Sequence, residues 1–314
     1  MQIRTFEAAD MLPLYSLWNK AFPREAVSKE RFYKTVFLEP NFSPDGLFVA
    51  EQDGVILGFI NGVYRRMPLY YGADMENTGY INAFALQKNG DFTAVGTTLL
   101  SAAERYFSEH GKQTVTTGYF PLYLNQGVET EGNEDYRKLY QTFGYTEKPS
   151  VSLELTLSEY HPDREATEQK RSRLMALGYS FTTLRDEQIF SILNPEASFS
   201  NPSWSREFLS RLHDFDLSRF RVCELGGEVL GACVFGDPNS DMGRFGPFGV
   251  SPKLRGLGIG TILLYDTLCT MKDRGIQQAW MQWVSASGAA FHIYEKAGFR
   301  IEKKYSTFSK DIRG

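Results

Sequence analysis

The stretch "VSPKLRGLGIGTILLYDTL", residues 250–268, decides the fold of this chain. It places Gly256, Gly258 and Gly260 directly before a leucine-rich run with helical spacing. Glycine inside a helix lowers stability by about 1 kcal/mol relative to alanine. Three glycines this close to a helix therefore indicate that the backbone has a function of its own here. Glycines at a strand-to-helix junction let consecutive N–H groups surround an anion at the positive helix end, and Arg255 adds a permanent charge. The stretch predicts a pyrophosphate cradle; a tight turn with glycines needed only for packing is the alternative.

Two other kinds of phosphate loop do not fit this stretch. A Walker A loop requires GK[ST], which is missing here, and the glycine spacing is GxGxG rather than the GxGxxG of dinucleotide-binding folds. The preceding residues, "MGRFGPFGVSP" (242–252), are typical of a strand. The order of elements around them is rich in hairpins, which disagrees with a βαβ dinucleotide unit.

The same plan occurs twice along the chain. "FVAEQDGVILGF" (48–59) matches "RVCELGGEVLGA" (221–232), and each predicts a hairpin with a two-residue turn. Two further pairs of segments match in the same order. "DFTAVGTTLL" (91–100) matches "RGLGIGTILL" (255–264). "NEDYRKLYQTFGY" (133–145) matches "SGAAFHIYEKAGF" (287–299). Three ordered matches predict one domain plan used twice, with longer loops in the first copy.

The repeat sets the predicted domain boundaries. The first domain covers residues 1–157, a charged connecting helix covers 158–176, and the second domain covers 177–314. A hairpin turning at Gly226-Gly227 predicts that Cys223 faces Leu230 and Cys233 faces Phe220, so the two cysteines are not opposite each other.

Composition excludes several classes of protein. The 314 residues carry a formal net charge of -4, which argues against a nucleic-acid partner. No apolar run approaches the ~20 residues of a membrane span, and the first residues lack the pattern of a signal peptide, so we expect a cytoplasmic protein without a membrane partner. Four scattered histidines and three cysteines without CxxC spacing predict no metal site and reduced, buried thiols.

At this point the residues resemble the GNAT superfamily of acetyltransferases. The run Arg255–Gly260 resembles that family's acyl-CoA loop, Q/R-x-x-G-x-G/A. The later segment resembles the family's N-x-x-A-x-x-L-Y-x-x-x-G-F, with Ala290, Tyr294 and Gly298 in register and Ser287 in place of the usual asparagine. The resemblance implies an α+β (mixed α/β) fold of two tandem GNAT-like domains. Each would have a mixed, mostly antiparallel central sheet flanked by helices.

The resemblance also implies a donor, a site and a mechanism. Acetyl-CoA would be the acyl donor, and a primary amine on a small molecule or peptide would attack it directly. A strand N–H would polarise the thioester carbonyl, and Tyr294 would protonate the leaving thiolate as general acid; the alternative is a tyrosine that only packs against the sheet. The residues expected to contact the donor are Phe248, Gly249, Val250, Arg255, Gly256, Leu257, Gly258, Ile259, Gly260, Thr261 and Ser287.

The general base cannot be assigned from the sequence. Glu224 and Asp241 are candidates, and a water chain is an equal one. Glu224 has a counterpart at Glu51 in the first copy, which favours a structural role for both.

The first copy departs from its own version of the cradle. Asp91 and Phe92 stand where the second copy has Arg255 and Gly256, so an anion would meet a like charge and a bulky ring. Tyr140, the counterpart of Tyr294, is kept, which favours a domain that retained its fold and lost its cofactor.

These observations predict an acetyl-CoA-dependent N-acetyltransferase with a catalytic C-terminal domain. The alternatives are a non-catalytic protein that serves as an acyl-CoA sensor or scaffold, and an enzyme for longer acyl chains. Whether the chain is a monomer or a homodimer stays open.

Overall fold

The structure, a computed structural model, describes residues 1–66, 77–88, 91–118, 124, 127–194, 196–200, 204–237, 241–286 and 288–313. The first half of the chain forms β1 (Gln2–Thr5), α1 (Met11–Ala21), α2 (Lys29–Val36), β2 (Leu47–Gln52), β3 (Val55–Tyr64), β4 (Thr78–Leu86), α3 (Phe92–Glu109), β5 (Thr114–Thr117), β6 (Val128–Glu129), α4 (Glu134–Thr142) and β7 (Thr146–Thr156).

The second half repeats this order after a connecting helix. It forms α5 (Arg164–Ala176), β8 (Tyr179–Thr183), α6 (Ile189–Leu193), α7 (Trp204–Leu212), β9 (Phe220–Leu225), β10 (Glu228–Phe235), β11 (Phe245–Val250), α8 (Ile259–Asp273), β12 (Gln278–Val284), α9 (Ala289–Lys296) and β13 (Arg300–Asp311). The predicted duplication of one plan is therefore present at the level of elements.

The described residues fall into two compact units. Unit 1 contains those between 1 and 149 together with 304–313, and unit 2 contains those from 150 to 303. The units differ from the predicted domains in two respects. The connecting helix α5 belongs to unit 2, where it packs on α8 and β8. The end of β13 belongs to unit 1, because it pairs with β5 through Ser309↔Thr116.

Unit 1 is built on a mixed, mostly antiparallel sheet. Its strands lie in the order β1-β2-β3-β4-β5-β13, and all of these neighbours are antiparallel except β4 and β5. Helix α3 packs on β2 and β3, whereas α1 packs on β4. The core is strongly aromatic and includes Trp18, Phe32, Phe59, Phe107 and Tyr136.

Unit 2 has an antiparallel sheet in the order β8-β9-β10-β11 and an antiparallel pair of β7 with β12. Neighbouring residues of β9 and β10 face opposite sides, as a pleated strand requires. Cys223 and Cys233 lie in the cluster covered by α8, and Val222 and Val234 lie in the cluster covered by α7. Helices thus cover both faces, which confirms the predicted α+β fold class.

The two hairpins turn where the sequence predicts, but their registers differ from simple pairing. Gly226 and Gly227 both have positive φ, as a two-residue turn of this type needs. A shift between Val229 and Gly231 then places Cys223 opposite Gly231 and Cys233 opposite Arg221. The strand partners predicted for Cys223 and Cys233 are each wrong by one residue, because this bulge shifts the register. All three cysteines are free thiols, as predicted.

Candidate functional site

The centre of unit 2 is a gap between two parallel strands. β11 and β12 meet at Arg244↔Trp280, where the Trp280 N–H donates to the Gly243 carbonyl at 2.9 Å. Beyond that point β11 pairs with β10, and β12 pairs with β7. In the ranges that the structure covers, no further backbone–backbone hydrogen bond joins β11 to β12. The strands separate, and the open edge of β11 offers backbone groups to a ligand.

The start of the gap is fixed by side chains. The Arg244 guanidinium lies 4.8 Å from the centre of the Trp280 ring, and its Nη1 donates to Gln282 Oε1 at 3.0 Å. Trp280 Nε1 donates in turn to Asp241 Oδ2 at 3.1 Å, and Asp241 Oδ1 accepts from the Gly243 N–H at 3.0 Å. Asp241, one candidate base, therefore ties the start of β11 to β12.

Three predicted contact residues lie along β11. Phe248, Gly249 and Val250 pair with Cys233, Ala232 and Gly231 of β10. A Cβ on Gly249 would lie 2.3 Å from the Phe199 carbonyl oxygen and 2.7 Å from the Trp204 ring. Only glycine fits there, so the segment that precedes α7 lies directly on this strand.

The glycine loop leads from this strand into α8. Gly256 and Gly258 both have positive φ, and Gly258 is the residue immediately before the helix. The first helical hydrogen bond joins the Ile262 N–H to the Gly258 carbonyl at 3.2 Å. Among the described residues, the N–H groups of 258–261 have no acceptor. Such uncapped donors at a helix N-terminus form an anion site.

The remaining loop residues have different roles. The Ile259 side chain is buried in the core, so only its backbone can face a ligand. Leu257 packs against the same core, and Thr261 lies half-buried in the first turn of α8. The Arg255 side chain is exposed and has no partner among the described residues. Ser287 lies outside the described residues, and Gly288 precedes α9.

Tyr294 lies on α9 at the wall of the gap. Its ring centre is 6.0 Å from that of Phe248 and 5.8 Å from that of Phe299. Burial, with a smaller effect from Cys233, raises the pKa of Tyr294 well above its ordinary value. No described residue hydrogen-bonds its hydroxyl. The group is therefore protonated at physiological pH and available as a proton donor.

Glu224, the other candidate base, is held by structural hydrogen bonds. Its Oε2 accepts from Arg185 Nη2 at 2.9 Å and from the Gln188 side chain. Burial opposes its charge, but these donors hold the pKa of Glu224 below its ordinary value of 4.5. Glu51 accepts from Arg4 at 2.9 Å in the corresponding place in unit 1. The contact that Glu224 makes is thus a repeated part of the fold.

Replacement of Glu224 by glutamine tests this role. Glu224→Gln weakens the bond to Arg185, so we expect the midpoint of thermal unfolding to fall by a few degrees. Turnover per folded molecule should stay within about twofold of the wild type if the carboxylate has only this structural role. Glu228→Gln, at an exposed site at the start of β10, the other arm of the same hairpin, is the control for loss of one charge. A large fall in turnover for Glu224→Gln alone would make Glu224 the base.

Unit 1 has the same elements, but its corresponding space is filled. Asp91 Oδ1 accepts from the Ala94 N–H at 2.9 Å, so the side chain caps the helix end that an anion would use. The Phe92 ring lies 5.0 Å from the Tyr136 ring. The Tyr136 hydroxyl accepts from the Leu86 N–H at 2.7 Å, at the end of β4. In unit 1 the Tyr136 hydroxyl thus accepts the hydrogen bond of a backbone N–H whose counterpart in unit 2 lies in β11.

Tyr136 is a residue whose role the sequence analysis missed. It aligns with Ala290 of the second copy, so a large aromatic ring replaces a methyl group. Tyr140, the counterpart of Tyr294, is also buried, and its ring stacks on Phe308 at 4.7 Å.

Loss of the Tyr136 hydroxyl should destabilise the chain without affecting activity. In Tyr136→Phe the buried Leu86 N–H loses its acceptor, which costs about 1–3 kcal/mol in the free energy of unfolding. Urea unfolding measures this loss. Tyr33→Phe serves as control, because the Tyr33 hydroxyl has no partner among the described residues and its removal should change stability by less than about 0.5 kcal/mol. Equal stability of the two variants would show that the bond to Leu86 contributes nothing.

The described residues show neither a metal-binding cluster nor a membrane-spanning helix. They contain no cluster of histidine, cysteine or acidic side chains that could hold a metal ion. No helix among them is both long and apolar enough to cross a membrane.

Comparisons with known proteins identify the family. The model of the acetyltransferase (GNAT) family matches residues 11–145 and 187–299. A mycothiol acetyltransferase from Cellulomonas flavigena is 26% identical over 136 residues, which cover 38% of this chain and 39% of that protein. The match thus spans about two fifths of this relative.

Solved structures share the fold over the whole chain. A glucosamine N-acetyltransferase region of a fungal β-N-acetylglucosaminidase has a TM-score of 0.80 at 16% identity, over 98% of this chain and 38% of that one. A tandem GNAT protein from the clavulanic acid biosynthesis pathway has a TM-score of 0.62 at 13% identity, over 100% of this chain and 99% of that one. Since two family regions follow one another within one chain, this protein belongs to the GNAT family of acetyltransferases and contains the family domain twice.

Proposed function

We propose that the chain is an acetyl-CoA-dependent N-acetyltransferase in which unit 2 is catalytic and unit 1 binds no acyl-CoA. The observation that carries this proposal is the difference between equivalent places in the two units. At the start of α8 the N–H groups of 258–261 have no described acceptor, whereas Asp91 caps the equivalent helix in unit 1. The open edge of β11 likewise contrasts with the Leu86 N–H, which Tyr136 occupies.

Two features of unit 2 support binding of the pyrophosphate and the pantetheine arm of acetyl-CoA. The uncapped N–H groups and the exposed Arg255 suit a pyrophosphate, which carries negative charge and needs several hydrogen-bond donors. The open edge of β11 suits the amide-bearing pantetheine arm, which can pair with a strand as a further strand would. The contact between the rings of Phe248 and Tyr294, 6.0 Å apart, supports a role for Tyr294 near this edge of β11.

Transfer then needs three contributions from the protein. An N–H within Phe248–Val250 donates to the thioester carbonyl as negative charge develops on its oxygen. The amine nitrogen forms the new bond to the carbonyl carbon, and the bond to sulfur breaks. Tyr294 donates its proton to the departing sulfur as general acid. Glu224 is held by structural contacts, so we assign removal of the amine proton to water.

The acceptor class that we propose is a small molecule with a primary amine. The relatives described above are named for mycothiol and for glucosamine, so amines related to mycothiol and amino sugars are the first compounds to test. Peptides with a free N-terminus form a second group.

Calorimetric titration with acetyl-CoA tests the cofactor assignment. We expect one site per chain. Two sites would show that unit 1 also binds the donor despite Asp91 and Tyr136, and absence of binding would refute the assignment. Release of free CoA in the presence of each amine then tests catalysis. Binding without release across the whole panel would favour a non-catalytic acyl-CoA sensor, and a series of longer acyl-CoA thioesters defines the preferred chain.

A further inference from the structure

The connecting helix α5 lies beside the glycine loop of unit 2. The methylene stem of Lys170 covers Gly258, and a Cβ at Gly258 would lie 3.3 Å from Lys170 Cδ. Gly258 is the residue just before the uncapped N–H groups of α8. A cationic side chain from outside the loop therefore reaches the helix end where an anion would sit.

The position of α5 is fixed by contacts with α8. Arg171 donates to both carboxylate oxygens of Asp266, at 3.1 and 2.5 Å, in the fork geometry that restrains both side chains. Lys272 Nζ donates to the Tyr160 carbonyl at 3.1 Å, just before α5. Asp163 caps the first turn of α5 through the Ala166 N–H at 2.9 Å. These contacts hold the backbone of α5 against α8, with the stem of Lys170 beside Gly258.

The ammonium group of Lys170 is uncommitted. The neighbouring Arg171 forms ion pairs with Asp266 and, from its Nε to Glu168 Oε2 at 3.1 Å, with Glu168. Lys170 itself has no ion pair or hydrogen bond with any described residue, and its side chain is exposed. No described carboxylate bonds to Lys253 or Arg255, the two cations of the loop. Lys170 therefore adds a third positive side chain beside the loop that carries Lys253 and Arg255, and no described acid pairs with any of the three.

We propose that Lys170 binds the pyrophosphate of acetyl-CoA, so that α5 is part of the donor site rather than a linker. This inference rests on the proposed function of unit 2. It also places a contact residue outside the second family region, which begins at residue 187. We assign Lys170 to the pyrophosphate rather than to the 3′-phosphate because its stem lies on Gly258, at the helix end, where the N–H donors converge.

The test is calorimetric titration of three variants with acetyl-CoA and with 3′-dephospho-acetyl-CoA. Loss of one charge-assisted contact should make Lys170→Ala bind acetyl-CoA about tenfold more weakly. The same loss is expected with the dephospho compound, which keeps the pyrophosphate. Lys170→Arg should recover most of the affinity. Arg173→Ala removes one positive charge from an exposed site on the same helix and should stay within about twofold of the wild type.

Three outcomes would overturn the proposal. Equal affinities of Lys170→Ala and Arg173→Ala would show that the charge acts only at long range. A loss seen with acetyl-CoA but absent with the dephospho compound would move Lys170 to the 3′-phosphate. A fall in the thermal midpoint of Lys170→Ala that Lys170→Arg also shows would make the role structural. If the wild-type chain binds no acetyl-CoA, the proposed function fails too, whereas the other outcomes leave it intact.

Discussion

Gly258→Trp should lose acetyl-CoA binding by at least about a hundredfold, because the new side chain would cover several N–H donors at once. The φ of Gly258 is +94° with ψ near 3°, which is the left-handed region. A residue with a Cβ pays about 1–2 kcal/mol there, so the thermal midpoint will also fall. The indole would in addition displace the stem of Lys170 from Gly258. Titration calorimetry measures the affinity, and thermal unfolding measures the cost in stability.

Gly275→Trp is the matched control for this prediction. Gly275 follows the other end of α8, has a φ of +76°, and has open space where a Cβ would lie. The variant should carry a similar backbone strain and keep its affinity for acetyl-CoA, because the N-terminus of α8 and its N–H donors are untouched. If the two tryptophan variants bound the donor equally well, the glycine loop could not be the pyrophosphate site.

Tyr294→Phe should slow turnover by about a hundredfold or more and leave the affinity for acetyl-CoA unchanged. The substitution removes only the hydroxyl, and the ring contacts with Phe248 and Phe299 are kept. Steady-state kinetics with saturating amine gives kcat, and calorimetry gives the affinity. Tyr140→Phe changes the equivalent tyrosine of unit 1 and should leave both quantities unaltered. Unchanged kcat in Tyr294→Phe would remove this residue from the reaction.

The pH dependence of the wild-type rate follows from the burial of Tyr294. A proton donor works only in its protonated form, and burial raises the pKa of Tyr294 above its ordinary 10.0. The protonated fraction therefore stays near one up to that pH. The profile of kcat should show no descending limb from this group between neutral pH and 10.0. A limb in that range that disappears in Tyr294→Phe would show that the hydroxyl is less buried during turnover.

The sequence predicts the local parts of the site because local chemistry determines them. Positive φ at Gly256 and Gly258 and the start of a helix directly after them follow from glycine spacing alone. Hairpin turns at Asp53-Gly54 and Gly226-Gly227 follow from the turn residues in the same way. The register after the second turn does not follow from the turn residues, because the bulge at Val229 depends on contacts with both neighbouring strands.

Features that depend on distant residues were not predicted. Lys170 lies beside the loop because α5 packs on α8, where Arg171 pairs with Asp266 far along the chain, and nothing near Lys170 in the sequence indicates this contact. Tyr136 is different, because its alignment with Ala290 already shows a ring in place of a methyl group. Its bond to the Leu86 N–H requires knowledge of where β4 ends.

The strands β7 and β13 follow similar segments, so the pattern of each half suggests that each completes its own domain. The structure instead places residues 304–313 in unit 1, where they pair with β5 and β6.

This placement of β13 has a consequence for synthesis of the chain on the ribosome. Domains commonly fold in order as they emerge, with the N-terminal one first. The sheet of unit 1 cannot be completed in that order, because the strand that pairs with β5 is made after all of unit 2. Until residues 304–313 emerge, the nascent unit 1 exposes the edge of β5, which is a template for pairing with another chain. The chain therefore depends on unit 2 being finished before its first domain can close, and a fragment ending near residue 157 would keep that exposed edge.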